Sequence, residues 1–165
     1  MSMSGMKRLD NVDELVFDVL KKGVPGHFIE AGIWKGGVVA LVAAILRACK
    51  IKGRRVYGVD SFCGIPPAKP DLYPADAAHI GCDEYEILSK NSRHEVQGYL
   101  ERLGLWHQAD VHLMEGWFED VLPSLADVTF CLVRLDGDTY ESTSQALYYL
   151  EPTLSKGGYM IIDDY

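Results

Sequence analysis

The chain reads as an α/β protein: a Rossmann-like parallel sheet with helices on both faces, in a single domain over residues 1–165. Three observations predict this. Apolar strand patterns alternate with helical patterns, which implies strand–helix–strand units and parallel pairing. The runs 129–135 and 158–162 are almost continuously apolar, as strands covered on both faces are. Acidic residues fall at the ends of apolar runs, at Glu30, Asp60, Asp136 and the pair Asp163-Asp164. Carboxylates gathered at the carboxyl ends of parallel strands make a ligand crevice.

The elements follow in order. Residues 10–20 have helical spacing, stopped at Lys21-Lys22-Gly23. Residues 27–30 form the first strand, and the Ala- and Leu-rich stretch 37–49 a buried helix. Residues 55–60 are the second strand. Ser92 and Glu95 form a capping box that opens a helix ending near Gly104. The third strand is 111–115, followed by a short turn or helix stopped at Pro123. The fourth strand is 129–135, the next helix 141–154, and the fifth strand 158–162. Between residues 61 and 86 this alternation breaks, with Pro66, Pro67, Pro70 and Pro74 clustered beside Gly64 and Gly81. So long an irregular segment, leaving the ligand end of the second strand, reads as a lid.

Composition excludes some partners. A 165-residue chain that is 48% hydrophobic has the apolar material for a core. A net charge of −8 lacks the basic face that nucleic acid requires. No stretch has the length and apolarity of a membrane span, and the polar amino terminus lacks a signal-peptide centre, so the expected address is cytoplasmic. Cys49, Cys63, Cys82 and Cys131 show neither CxxC nor metal-ligand spacing.

Three sites carry candidate chemistry. In Glu30-Ala-Gly-Ile-Trp-Lys-Gly-Gly37, Gly32 allows close approach of a ligand, and Gly36 and Gly37 open a helix whose amino terminus offers N–H groups. The spacing is not the dinucleotide GxGxxG. Asp60 ends the second strand, where an acid accepts hydrogen bonds from ribose hydroxyls in nucleoside-binding folds; alone it could equally be a turn cap, but beside Glu30-Ala-Gly32 the ribose role is favoured. Asp136, Asp163 and Asp164 form the third site. In the open strand order 3-2-1-4-5, strands four and five are neighbours, so these acids converge. Three close carboxylates call for a cation, and Mg²⁺ is the simple expectation. Arg134, in strand four, is placed to pair with an acid on a neighbouring element.

The chain resembles the macrocin O-methyltransferase family of class I methyltransferases. The resemblance rests on residues 28–37, on Asp60-Ser-Phe-Cys-Gly-Ile-Pro66 and on 116–123. It rests most on Leu132-Val-Arg-Leu-Asp-Gly-Asp-Thr-Tyr-Glu-Ser-Thr143 and Gly157-Gly-Tyr-Met-Ile-Ile-Asp-Asp-Tyr165. It implies a class I methyltransferase fold, S-adenosylmethionine as methyl donor and Mg²⁺ as cofactor. It sets Glu30, Ala31 and Gly32 against the methionine part of the donor, Asp60 and Ser61 at the ribose, and Gly116 and Trp117 near the adenine. It makes Asp136, Asp163 and Asp164 the metal ligands. It implies a sugar hydroxyl of a small-molecule glycoside as acceptor, and a homo-oligomer. For proton removal the candidates are Asp136 and, in the lid where the family has a histidine, His79. Class I methyltransferases continue past the fifth strand. The chain therefore reads as lacking the usual C-terminal strands, and the competing function is a non-catalytic module that binds the donor. A nicotinamide oxidoreductase is disfavoured by the missing GxGxxG.

Overall fold

The computed structural model describes residues 4–79, 91–107 and 109–163. Its elements are α1 (Met6–Lys21), β1 (His27–Ala31), α2 (Gly37–Ala48), β2 (Val56–Asp60), α3 (Arg93–Arg102), β3 (Val111–Glu115), α4 (Phe118–Val121), β4 (Phe130–Leu135), α5 (Tyr140–Leu150) and β5 (Leu154–Ile162). The five strands form one sheet in the order β3-β2-β1-β4-β5, and every pairing is parallel. This is the order expected from the sequence.

Side chains alternate across the sheet and fill two apolar layers. Phe28, Val56 and Leu132 pack with Val16, Val42, Leu46 and Leu100 of α1, α2 and α3 on one face. Ile29, Tyr57, Val59, Phe130, Val133 and Leu135 pack with Leu122, Ala146 and Leu150 on the other. The Ser92 hydroxyl accepts from the Glu95 N–H at 3.2 Å, so the capping box opens α3 as its spacing predicts.

Three expectations differ from the structure. Helix α1 begins at Met6 rather than at residue 10. Helix α5 ends at Leu150 rather than 154, because a 3₁₀ turn over Glu151–Thr153 takes up Pro152, which cannot continue an α-helix. Strand β5 begins at Leu154 rather than 158, and it is not buried on both faces. Among the described residues it pairs with β4 alone and lies at the edge of the sheet, most of its residues are half-covered, and Ile162 is exposed. The register between β4 and β5 also shifts, from Phe130 opposite Leu154 to Leu132 opposite Tyr159. By contrast, all six residues of β4 are buried.

Candidate active site

A cavity of about 470 Å³ opens across the carboxyl ends of β1, β2, β4 and β5, within the size range of small-molecule sites. It lies at the switch point, where β1 has β2 on one side and β4 on the other. Glu30, Gly32, Asp60, Ser61, Gly116, Trp117, Asp136 and Asp163, all singled out in the sequence, line it.

The β1–α2 turn is held from below by Asp60. Asp60 Oδ2 accepts from the backbone N–H of Ile33 at 3.0 Å and of Trp34 at 2.9 Å, and Oδ1 accepts from Phe62 N–H at 2.7 Å. Burial raises the Asp60 pKa, and these three donors oppose that rise. Trp34 and Phe62 both adopt positive φ, 47° and 52°, which bulky residues avoid unless held there. Asp60 is thus the fastener of the donor-side turn, the capping role weighed above. Gly32 has φ +90°, and a Cβ there would stand 1.9 Å from the Asp136 carbonyl oxygen. Its absence of a side chain lets the ends of β1 and β4 meet, in addition to exposing backbone to the cavity.

The second cluster is built around Arg134, whose side chain is 3% exposed. Its Nη1 donates to Glu30 Oε1 and Asp136 Oδ2, and its Nη2 to Asp163 Oδ2 at 2.8 Å. Arg8 Nη1 reaches the same Asp163 oxygen at 2.8 Å. Burial pushes the Glu30 pKa up to about 8 despite Arg134. Burial, with the neighbouring Asp163 charge adding to it, lifts Asp136 to about 7. The carboxylates in turn hold the Arg134 pKa above its ordinary value against the effect of burial. Glu30 Oε2 is buried without a hydrogen-bond partner.

The segment after β2 is fastened to the far wall. Asp76, 2% exposed on the 3₁₀ turn Pro74–His79, accepts from the N–H groups of Tyr140 and Glu141 at 2.7 and 3.0 Å. It caps α5 from a distance, beside the local N-cap Thr139. Lys69 Nζ donates to the buried Glu141 carboxylate at 2.6 Å. From this segment Gly64, Ile65, Pro66, Pro67 and Lys69 line the cavity.

The remaining sequence candidates fall elsewhere. Ala31 is fully buried and does not line the cavity; its carbonyl accepts from Asp136 N–H at 2.8 Å. Gly36 is the N-cap of α2, at φ +72° against Val96, and does not line the cavity either. The Ser61 hydroxyl donates to Gly64 O at 2.9 Å and so closes its own turn. His79 ends the 3₁₀ turn, but its side chain lies outside the described residues, as does Asp164. Of the three expected metal ligands, Asp136 and Asp163 come together, with the Arg134 guanidinium as their cation. Among the described residues no three His, Cys, Asp or Glu side chains form a metal-binding group. Arg134 pairs with acids on neighbouring elements, as its place in strand four predicts. Asp76, Lys69 and Asp138 were missed. Asp138 lines the cavity at φ 60°. A buried carboxylate in an irregular segment has no local pattern to announce it.

The strand order and the cavity at the switch point define a class I methyltransferase fold. The solved structure of the O-methyltransferase NovP superposes with a TM-score of 0.92 at 40% identity, covering 99% of this chain and 67% of that one. The chain belongs to the macrocin O-methyltransferase (TylF) family, whose sequence model matches residues 1–165. One relative is the 8-demethyl-8-(2,3-dimethoxy-alpha-L-rhamnosyl)-tetracenomycin-C 4'-O-methyltransferase of Streptomyces olivaceus. It is 42% identical over 99% of this chain and 62% of its own length. The demethyldecarbamoylnovobiocin O-methyltransferase of Streptomyces niveus is 40% identical over the same shares. The chain thus spans about 62% of the length of these curated relatives. Among the described residues no helix is long and apolar enough to cross a membrane.

Proposed function

We propose that this chain forms the donor-binding and catalytic part of an S-adenosylmethionine-dependent O-methyltransferase. Its acceptor is a hydroxyl on a sugar of a glycosylated natural product, the chemistry that the relatives' names describe. The observation that carries the donor is the unpartnered, buried Glu30 Oε2 at the cavity. A buried carboxylate oxygen without a donor is costly, and the α-ammonium of a methionine derivative supplies three N–H groups and a charge. The Asp60-fastened turn keeps that carboxylate and Gly32 in place.

Methyl transfer is an in-line displacement. The acceptor oxygen forms its bond to the methyl carbon as the sulfonium C–S bond breaks, and S-adenosylhomocysteine leaves. The protein's share is to align oxygen, carbon and sulfur, which lowers the barrier by pre-paid orientation. The hydroxyl proton needs an acceptor with a pKa near the working pH. Asp136, raised to about 7 at the cavity wall, has that property. His79 is the other candidate. The segment 64–76, latched by Asp76 and Lys69, covers the acceptor side and limits water.

Asp136, Asp163 and Asp164 are the residues that would hold the expected magnesium; the first two are hydrogen-bonded to Arg134, and Asp164 lies outside the described residues. No step is derived through a metal.

Calorimetry with S-adenosylhomocysteine tests the donor, and binding by the folded chain is expected. No binding would overturn the reading. Binding without methyl transfer across a panel of glycosides would instead leave a donor-binding module.

A further inference from the structure

Three buried side-chain polar atoms lack a hydrogen-bond partner among the described residues: Glu30 Oε2, Trp34 Nε1 and Asn91 Oδ1. The first lies near the end of β1 and the second on the turn that follows, four positions on, and both residues line the same cavity. Their chemistries are opposite. Glu30 Oε2 becomes an acceptor when the carboxyl ionises, the form that a bound ammonium favours. An indole N–H can only donate.

Trp34 is held unusually firmly for a residue whose polar atom does nothing within the protein. Its backbone N–H donates to Asp60, and its carbonyl accepts from Asn91 Nδ2 at 2.6 Å. The Lys35 ammonium lies 4.4 Å from the centre of its ring. Its φ of 47° is strained for a bulky side chain, and such strain persists where the surroundings over-determine it. Packing accounts for a half-buried ring but not for a buried N–H without an acceptor.

A paired orphan acceptor and orphan donor four positions apart match a ligand end with one ammonium and one carboxylate on the same carbon. We propose that the Trp34 indole N–H donates to the α-carboxylate of the methyl donor while Glu30 takes the α-ammonium, making Trp34 the residue that selects an intact amino-acid end. This rests on the donor assignment made above. It adds a residue and a selectivity to it.

The test compares two ligands that differ by one group: S-adenosylhomocysteine and its decarboxylated analogue, which keeps the adenosine, the thioether and the amine. Trp34→Phe keeps the ring and removes the N–H. Calorimetry on the whole chain should show a loss of about tenfold or more for S-adenosylhomocysteine, the size of a lost hydrogen bond to a charged group. The decarboxylated analogue should change by less than about twofold. Equal losses for both ligands, or none for S-adenosylhomocysteine, would overturn the proposal. Should that variant fail to fold, the unsubstituted chain carries the test by ¹⁵N NMR. It has three tryptophans, Trp34, Trp106 and Trp117. Trp106→Phe and Trp117→Phe assign two indole N–H resonances and leave the third to Trp34. That third resonance should move downfield on saturation with S-adenosylhomocysteine and stay in place with the analogue. An unmoved resonance, or the same shift with both, overturns the proposal. If the unsubstituted chain binds neither ligand, the donor assignment itself has failed, a result distinct from either.

Discussion

Two carboxylates at the ends of neighbouring strands meet opposite fates in this fold. Asp60, at the end of β2, is satisfied by backbone N–H groups of Ile33, Trp34 and Phe62. Glu30, at the end of β1, is held by the side chain of Arg134, which it shares with Asp136 and Asp163. The first arrangement ties carboxylate to chain and shapes a turn. The second packs three acids around one buried cation and leaves one oxygen of Glu30 for something outside the protein. The difference teaches that an acid at a strand end is a scaffold where the backbone fills its lone pairs. It is a binding group where its lone pairs are left over.

Arg134 offers the hardest blow to that contrast. Arg134→Met should cost about 3–5 kcal/mol in urea unfolding above pH 8, because it strands the ionised Glu30 and Asp136 without their buried cation, while Asp163 keeps Arg8. Adding Glu30→Gln should return part of that loss, since one charge needing compensation is gone. Full additivity of the two would mean that they do not form one cluster. Asp60→Ala should cost less, about 2–3 kcal/mol, by freeing three backbone donors. It should also weaken S-adenosylhomocysteine binding by loosening the turn that carries Trp34. A loss of stability with unaltered affinity would deny Asp60 its scaffold role.

The two settings also differ in how they answer pH. Glu30 sits at about 8 and Asp136 at about 7, above their ordinary 4.5 and 3.8. Between about pH 4 and 8 the folded protein therefore holds protons that the unfolded chain has released. Stability should be greatest at the acid end of that window and fall as pH rises, by at most ~1.4 kcal/mol per pH unit for each group. Glu30→Gln should flatten part of this slope in a pH series of denaturation midpoints. A slope unchanged by that substitution would remove Glu30 from the account. The smallest effect belongs to Asp76, which combines both modes: backbone donors, but from a distant helix. Asp76→Ala should cost about 1 kcal/mol, as lost helix caps do. It should also raise proteolytic cutting within residues 64–76. Unchanged protection there would mean that the segment stays in place without its latch.

Much of this was legible along the chain. The strand order, the capping box at Ser92 and the turn at Gly32 depend on hydrophobic period and on local backbone chemistry, which neighbours in sequence carry. The edge character of β5 was not, because the same apolar run fits a strand covered on one face or two. That Arg134 pairs with an acid was legible, but not that it gathers three, since its partners include residues 104 positions before it and 29 after it.

By itself the amino-acid sequence determined which segments become strands and helices, and that their acidic ends share one rim, since periodicity and turn residues act over a few positions. Tertiary structure alone decided which acid is tied to backbone donors and which to a buried guanidinium. It also decided that a guanidinium is the cation gathering Glu30, Asp136 and Asp163, and that Trp34 keeps an unused N–H. The physical reason is that hydrogen-bond capacity is allotted by distance in space, and a carboxylate or an indole has the same formula whether or not a partner arrives.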